Sequence, residues 1–160
     1  MTDSKLLEPL AAWGQVEPLD TSMWPKAFVT GIHNEDRFGL RYYWSIQASV
    51  LYGRVVFGQT VEGPPGCAHG GSLAAVLDDA MGRCAWLSGQ KVVAGKLGIT
   101  YRKPVRLGRA VTVEARIERV DGRKVHTVGT VQSDDGTLHC EGEGLFIEVD
   151  PARFEGEFFD

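Results

Sequence analysis

At 160 residues and 43% hydrophobic content, the chain has the size of one ordinary domain and enough apolar side chains for a core without disulfide or metal support. Its formal net charge of -4 gives the protein as a whole no electrostatic pull toward nucleic acid or an anionic membrane, so any anion site must be local. Cys67, Cys84 and Cys140 are an odd, widely spaced set that fits a reducing cytoplasm better than a disulfide framework. The acidic, proline-containing start lacks the apolar run of a signal peptide, and no stretch approaches the roughly 20 apolar residues of a membrane span. The expectation is a soluble, unexported protein.

Residues 1–38 show no sustained period. Pro9 interrupts a short helical pattern between Lys5 and Trp13, and Pro18 and Pro25 punctuate the remainder, so the segment reads as an N-terminal extension or lid. From Leu40 to Val61 two β-like runs, Tyr42 to Ile46 and Val55 to Phe57, predict two strands with a turn near Gly53. Gly63-Pro64-Pro65-Gly66 breaks the pattern, and Ser72 to Trp86 then spaces Leu73, Val76, Leu77, Ala80 and Cys84 as a helix does.

Strand signals dominate after the helix. Val93, Gly95, Leu97, Ile99 and Tyr101 alternate with smaller or more polar residues, and Val111, Val113, Ala115 and Ile117 alternate with Thr112, Glu114, Arg116 and Glu118. Asp121-Gly122 predicts a tight hairpin into a return strand over Val125 to Val131, and Asp134-Asp135-Gly136 precedes a last strand from Leu138 to Val149. One apolar helix among antiparallel strands buries its stripe when a curved sheet wraps around it, which defines an α+β class with one long central helix. The domain is expected over 39–150, with the extension before it and a tail over 151–160.

The run from Cys67 to Asp79 carries the chemistry. His69-Gly70-Gly71 allows close approach of backbone amides to a ligand oxygen, at the positive end of the adjoining helix. At about 100° per residue, Asp79 shares a side with Ala75, Arg83 and Trp86, and pairs at i,i+4 with Arg83 as an exposed ion pair. Asp78 shares a side with the small residues Ala74, Gly82 and Ala85 and has no partner in its helix; burial would raise its pKa toward that of a general base. A hydrogen bond to a second helix across a dimer is the other use for such a residue.

His33, His69, His126 and His139 are scattered without zinc spacing, so no metal or cofactor is expected. Cys67 lies two residues before His69, but no third orienting group is evident, and Cys84 falls on the apolar side of the helix as core packing. Tyr42, Tyr43, Trp44, Phe57 and Trp86 are read as core, not as substrate contacts. Between Lys96 and Lys124 nine basic residues face three acids, a local charge of +6 suited to a phosphate-bearing ligand. Arg116 and Arg119 within that stretch read as solvated strand-edge charges.

His69-Gly70-Gly71 with Asp78, Tyr101-Arg102-Lys103-Pro104 closing the next strand, and Asp121-Gly122-Arg123-Lys124 at a later hairpin together resemble the hotdog-fold acyl-CoA thioesterases of the PaaI-like type, over about residues 39–149. The resemblance implies a dimer that joins two sheets, further pairing into a tetramer as an option, and active sites at the subunit interface. Asp78 matches the catalytic carboxylate, which either activates water or attacks the thioester carbonyl. The amide of Gly70, with Gly71 as a second donor, matches the oxyanion site, and His69 shapes the turn. Thr100, Arg102, Arg123 and Lys124 match positions that contact coenzyme A. Gly63 stands where some relatives carry an asparagine and Ala94 where others carry Thr or Ser. These two departures motivate an alternative, a non-catalytic acyl-CoA binding or regulatory protein; an acyl-chain dehydratase on the same fold is a third reading.

Overall fold

A computed structural model describes residues 2–31 and 36–153. His33 and the end of the C-terminal tail lie outside the described residues. The strands are β1 (Glu17–Pro18), β2 (Phe38–Ser45), β3 (Val50–Phe57), β4 (Val92–Tyr101), β5 (Ala110–Asp121), β6 (Lys124–Gln132) and β7 (Leu138–Glu148), with one long helix, α1 (Gly70–Leu87), between β3 and β4. Among the described residues these strands form one antiparallel sheet in the order β1-β2-β3-β5-β6-β7-β4. No helix among the described residues is long and apolar enough to cross a membrane.

Helix α1 is held at both ends by local chemistry. His69 is its N-cap, and the two glycines form the first helical turn, two residues earlier than the apolar spacing indicates. Gly89 (φ +90) closes it: Gly89 N–H donates to the Trp86 carbonyl and Gln90 N–H to that of Ala85, a Schellman arrangement. Leu73, Val76, Leu77, Ala80, Met81 and Cys84 are buried against the concave face of the sheet.

Two glycines set how closely the helix sits. Gly129 and Gly142 face each other in register on β6 and β7. A Cβ at Gly129 would lie 2.9 Å from Leu77 Cδ2 and 3.1 Å from the Glu114 carbonyl oxygen, and one at Gly142 3.2 Å from Met81 Cε. Gly129→Val therefore overpacks this contact and is expected to cost about 1–3 kcal/mol, read as a lower urea midpoint with an unchanged m-value.

The extension belongs to the same sheet. It begins with two 3-10 turns, Ser4–Leu7 and Ala11–Trp13, on either side of Pro9. β1 then pairs with β2. Trp13 stacks on Tyr52 with centroids 4.7 Å apart, the Tyr43 hydroxyl donates to the Leu7 carbonyl (2.8 Å), and the buried Arg54 guanidinium reaches the Leu6 carbonyl (3.2 Å).

Three local expectations change. The turn between β2 and β3 occupies residues 46–49, not Gly53, which sits inside β3 opposite Tyr42. A β-bulge between Ala94 and Lys96 inverts the faces of β4, so Leu97 and Ile99 join the core while Val93 is exposed and Val92 is buried. Arg116 and Arg119 are solvent-facing, but on β5, a central strand rather than an edge.

Candidate functional site

The start of α1 presents a backbone amide in a defined frame. His69 Nδ1 accepts the Gly71 N–H (2.9 Å), and the His69 carbonyl accepts both the N–H (2.9 Å) and hydroxyl (2.6 Å) of Ser72. Gly71's amide is therefore engaged, whereas the Gly70 amide meets no acceptor among the described residues. The Tyr101 hydroxyl donates to the Gly70 carbonyl (2.7 Å), which ties the end of β4 to this turn. Gly63 packs beneath: a Cβ there would lie 2.8 Å from His69 Cα.

Further along the helix the paired acids take different environments. Asp79 Oδ2 accepts from the Tyr42 hydroxyl (2.9 Å) and from Arg83 Nε (2.7 Å), so the i,i+4 pair forms but is sheltered, with side-chain exposures of 20% and 12%. Burial, followed by the charge of Asp79, keeps the Tyr42 phenol neutral by raising its pKa well above the usual range. Asp78 Oδ1 is buried without a hydrogen-bond partner. Burial is the main cause, and the Asp79 charge the second, of a carboxyl pKa raised above the ordinary value.

Asp78 lines a cleft of about 480 Å³ together with Gly82, Trp86, Ala94 and Phe146. The far wall comes from the extension, through Leu19, Met23 and Trp24. These three residues and the Tyr42–Asp79 link were not read from the sequence, since nothing local connects positions so far apart in the chain.

The distances divide the predicted site into two halves. Asp78 stands eight positions after Gly70, about 12 Å along a helix axis. A carbonyl held by one amide cannot be reached by the carboxylate of the same chain. Thr100 and Arg102 lie beside Tyr101, near Gly70, and Arg102 pairs with Glu141 (2.8 Å). Arg123 donates to the Glu148 carbonyl (3.1 Å), and Glu148 is in register with Val92 at the other end of β4. Lys124 is the next residue, at the start of β6. From Val92 to Thr100 is about 26 Å of strand, so the four residues do not converge within one chain.

No group of three His, Cys, Asp or Glu side chains able to hold a metal occurs among the described residues. Burial pushes the Cys84 thiol up to about 11 and that of Cys140 to about 12, which makes both unreactive near neutrality.

The thioesterase superfamily family model matches residues 65–140. Mouse acyl-coenzyme A thioesterase THEM4 is 39% identical over 97 residues, covering 60% of this chain and 42% of THEM4. Mouse acyl-coenzyme A thioesterase THEM5 is 30% identical over 93 residues, covering 58% and 38%. The chain thus spans less than half the length of these relatives. A solved thioesterase superfamily protein superposes with a TM-score of 0.66 at 29% identity, covering 68% of this chain and 53% of that one. A Bacillus halodurans protein solved with CoA gives 0.56 at 31% identity, covering 61% and 66%. The E. coli PaaI protein, at 15% identity, shares the fold with a TM-score of 0.60 over 64% of this chain and 74% of its own. With a seven-stranded antiparallel sheet around one long helix among the described residues and a helix-capping His-Gly-Gly turn at its start, the chain has the hotdog fold, and its residues 65–140 resemble the thioesterase superfamily.

Proposed function

We propose that the protein hydrolyses acyl-CoA thioesters at a composite site made by two copies of the chain. The observation that carries this reading is the half-buried Asp78, whose Oδ1 is buried without a partner, on a cleft about 12 Å from the free Gly70 amide. β4 supports the pairing. It is a ten-residue edge strand with Val93 38% and Tyr101 53% exposed, an open template for a second β4. Antiparallel pairing about a two-fold axis sets the Gly70 end of one copy beside the Asp78 cleft of the other. It also brings Thr100 and Arg102 of one copy toward Arg123 and Lys124 of the second, which assembles a cationic seat for the CoA phosphates.

In this site Asp78 takes a proton from water as its oxygen attacks the thioester carbon. The carbonyl oxygen gains negative charge and is held by the Gly70 amide and the positive end of α1. Collapse of the tetrahedral intermediate breaks the C–S bond, and Asp78 returns its proton to the CoA thiolate. Three unpaired cysteines agree with a reducing, cytoplasmic setting.

The bare positions Gly63 and Ala94, which offer no polar side chain to either half of the site, favour a second reading, a non-catalytic acyl-CoA binding protein. Thiol release from a panel of acyl-CoA thioesters, acetyl to palmitoyl with phenylacetyl and benzoyl, decides between them. Hydrolysis that disappears in Asp78→Asn supports the enzyme; tight binding by both proteins with no thiol release supports the binding protein.

A further inference from the structure

The extension lies outside the residues matched by the family model, yet it supplies one wall of the cleft on which Asp78 sits. It is placed there by specific contacts. β1 extends the sheet, and Leu19 N–H donates to the Tyr42 carbonyl (2.9 Å), directing the chain over the C-terminal half of α1. Arg83 then fastens it. Its guanidinium is fixed by Asp79, donates to Thr30 Oγ1 (2.8 Å), and lies 5.4 Å from the centroid of Trp24 and 5.7 Å from that of Tyr42. The opposite wall is equally fixed: Trp86 Nε1 donates to the Val92 carbonyl (3.0 Å), and Lys91 Nζ lies 4.5 Å from its centroid.

Met23 and Trp24 remain 76% and 51% exposed although they face a cleft lined by Trp86, Leu87, Val92 and Phe146. Apolar surface that is positioned by polar contacts and left unfilled marks a place for an apolar ligand. Allowing roughly 30 Å³ per methylene, about the volume of a water molecule in the liquid, 480 Å³ has room for about sixteen carbons, enough for a dodecyl chain.

We infer that Leu19–Trp24, fastened by Arg83, is the specificity wall of the acyl pocket and selects thioesters with an extended apolar chain over short ones. The inference rests on the cleft at Asp78 being the acyl site. It is tested without turnover, by measuring the affinities of two non-hydrolysable CoA thioethers, S-ethyl and S-dodecyl, for the wild type, Trp24→Ala and Trp24→Phe. S-dodecyl-CoA should bind Trp24→Ala at least tenfold more weakly than wild type, with S-ethyl-CoA within about twofold, and Trp24→Phe should recover most of the loss. Equal weakening of both thioethers, or no change in either, overturns the inference. So does a loss of self-association in Trp24→Ala without a chain-length effect, which would make Trp24 an interface residue. Absence of thiol release from all thioesters would refute the hydrolase reading alone, because the affinity pattern does not depend on turnover.

Discussion

Asp78→Asn is expected to lower kcat by at least a hundredfold while leaving the affinity for a CoA thioether within about threefold. The amide keeps the shape of the carboxylate but cannot accept a proton from water, so only the transition state loses stabilisation. In the wild type, kcat/KM should rise with pH through the raised pKa of Asp78 and then level off, because the ionised form is the base. Stability moves the opposite way. Between the unfolded and folded pKa values the native state holds a proton that the unfolded chain has released, so stability falls as pH rises through that window. Asp78→Asn escapes that loss. It should melt above the wild type at about pH 8, and the gap should close in acid, where both states of the wild type are protonated. A thermal melt of both proteins across pH checks this, and a lower melting temperature for the variant at neutral pH would count against a desolvated carboxylate.

Gly70→Pro is the second large effect. Gly70 is the first residue of α1, where proline is well tolerated, and His69 precedes it at φ -64, ψ 137, the extended conformation that proline requires. The fold should persist while the proposed oxyanion donor disappears, at a cost in kcat of about a hundredfold to a thousandfold. Gly70→Ala is the control: its Cβ meets the same Tyr101 ring, 3.2 Å from Cζ, but the N–H remains, so most activity should remain. Mixing the two inactive proteins tests the composite site. Random reassortment of Asp78→Asn and Gly70→Pro subunits places about half of the molecules in mixed dimers, each with one intact pairing of Asp78 and Gly70, and about a quarter of wild-type activity should return. A site contained within one chain would recover none.

Elements whose signals are local were legible in the sequence, and those governed by distant partners were not. The Asp121-Gly122 hairpin lies where its dipeptide places it, with Gly122 at φ +57. Gly53 misleads because glycine serves two purposes. Here it admits the ring of Tyr42, 2.9 Å from where a Cβ would stand, while the actual turn ends on Ser49 at φ +53. The alternation of β4 fails at Gly95 because a bulge is a property of the strand pair, not of either strand alone. The basic stretch divides between the two ends of the sheet for a similar reason: charge counted along the chain says nothing of the strand that separates Arg102 from Arg123.

By itself the sequence determined the central helix, its apolar stripe, the contrast between a carboxylate with an i,i+4 partner and one without, and the strand succession that wraps them, because helix and strand periods are written in consecutive residues. Only the tertiary structure decided that Tyr42 joins the Asp79–Arg83 pair, that Leu19, Met23 and Trp24 wall the cleft at Asp78, and that Arg102 and Arg123 stand at opposite ends of β4. Those outcomes depend on which surfaces meet when the apolar faces are buried, and contacts of that kind leave no period in the chain.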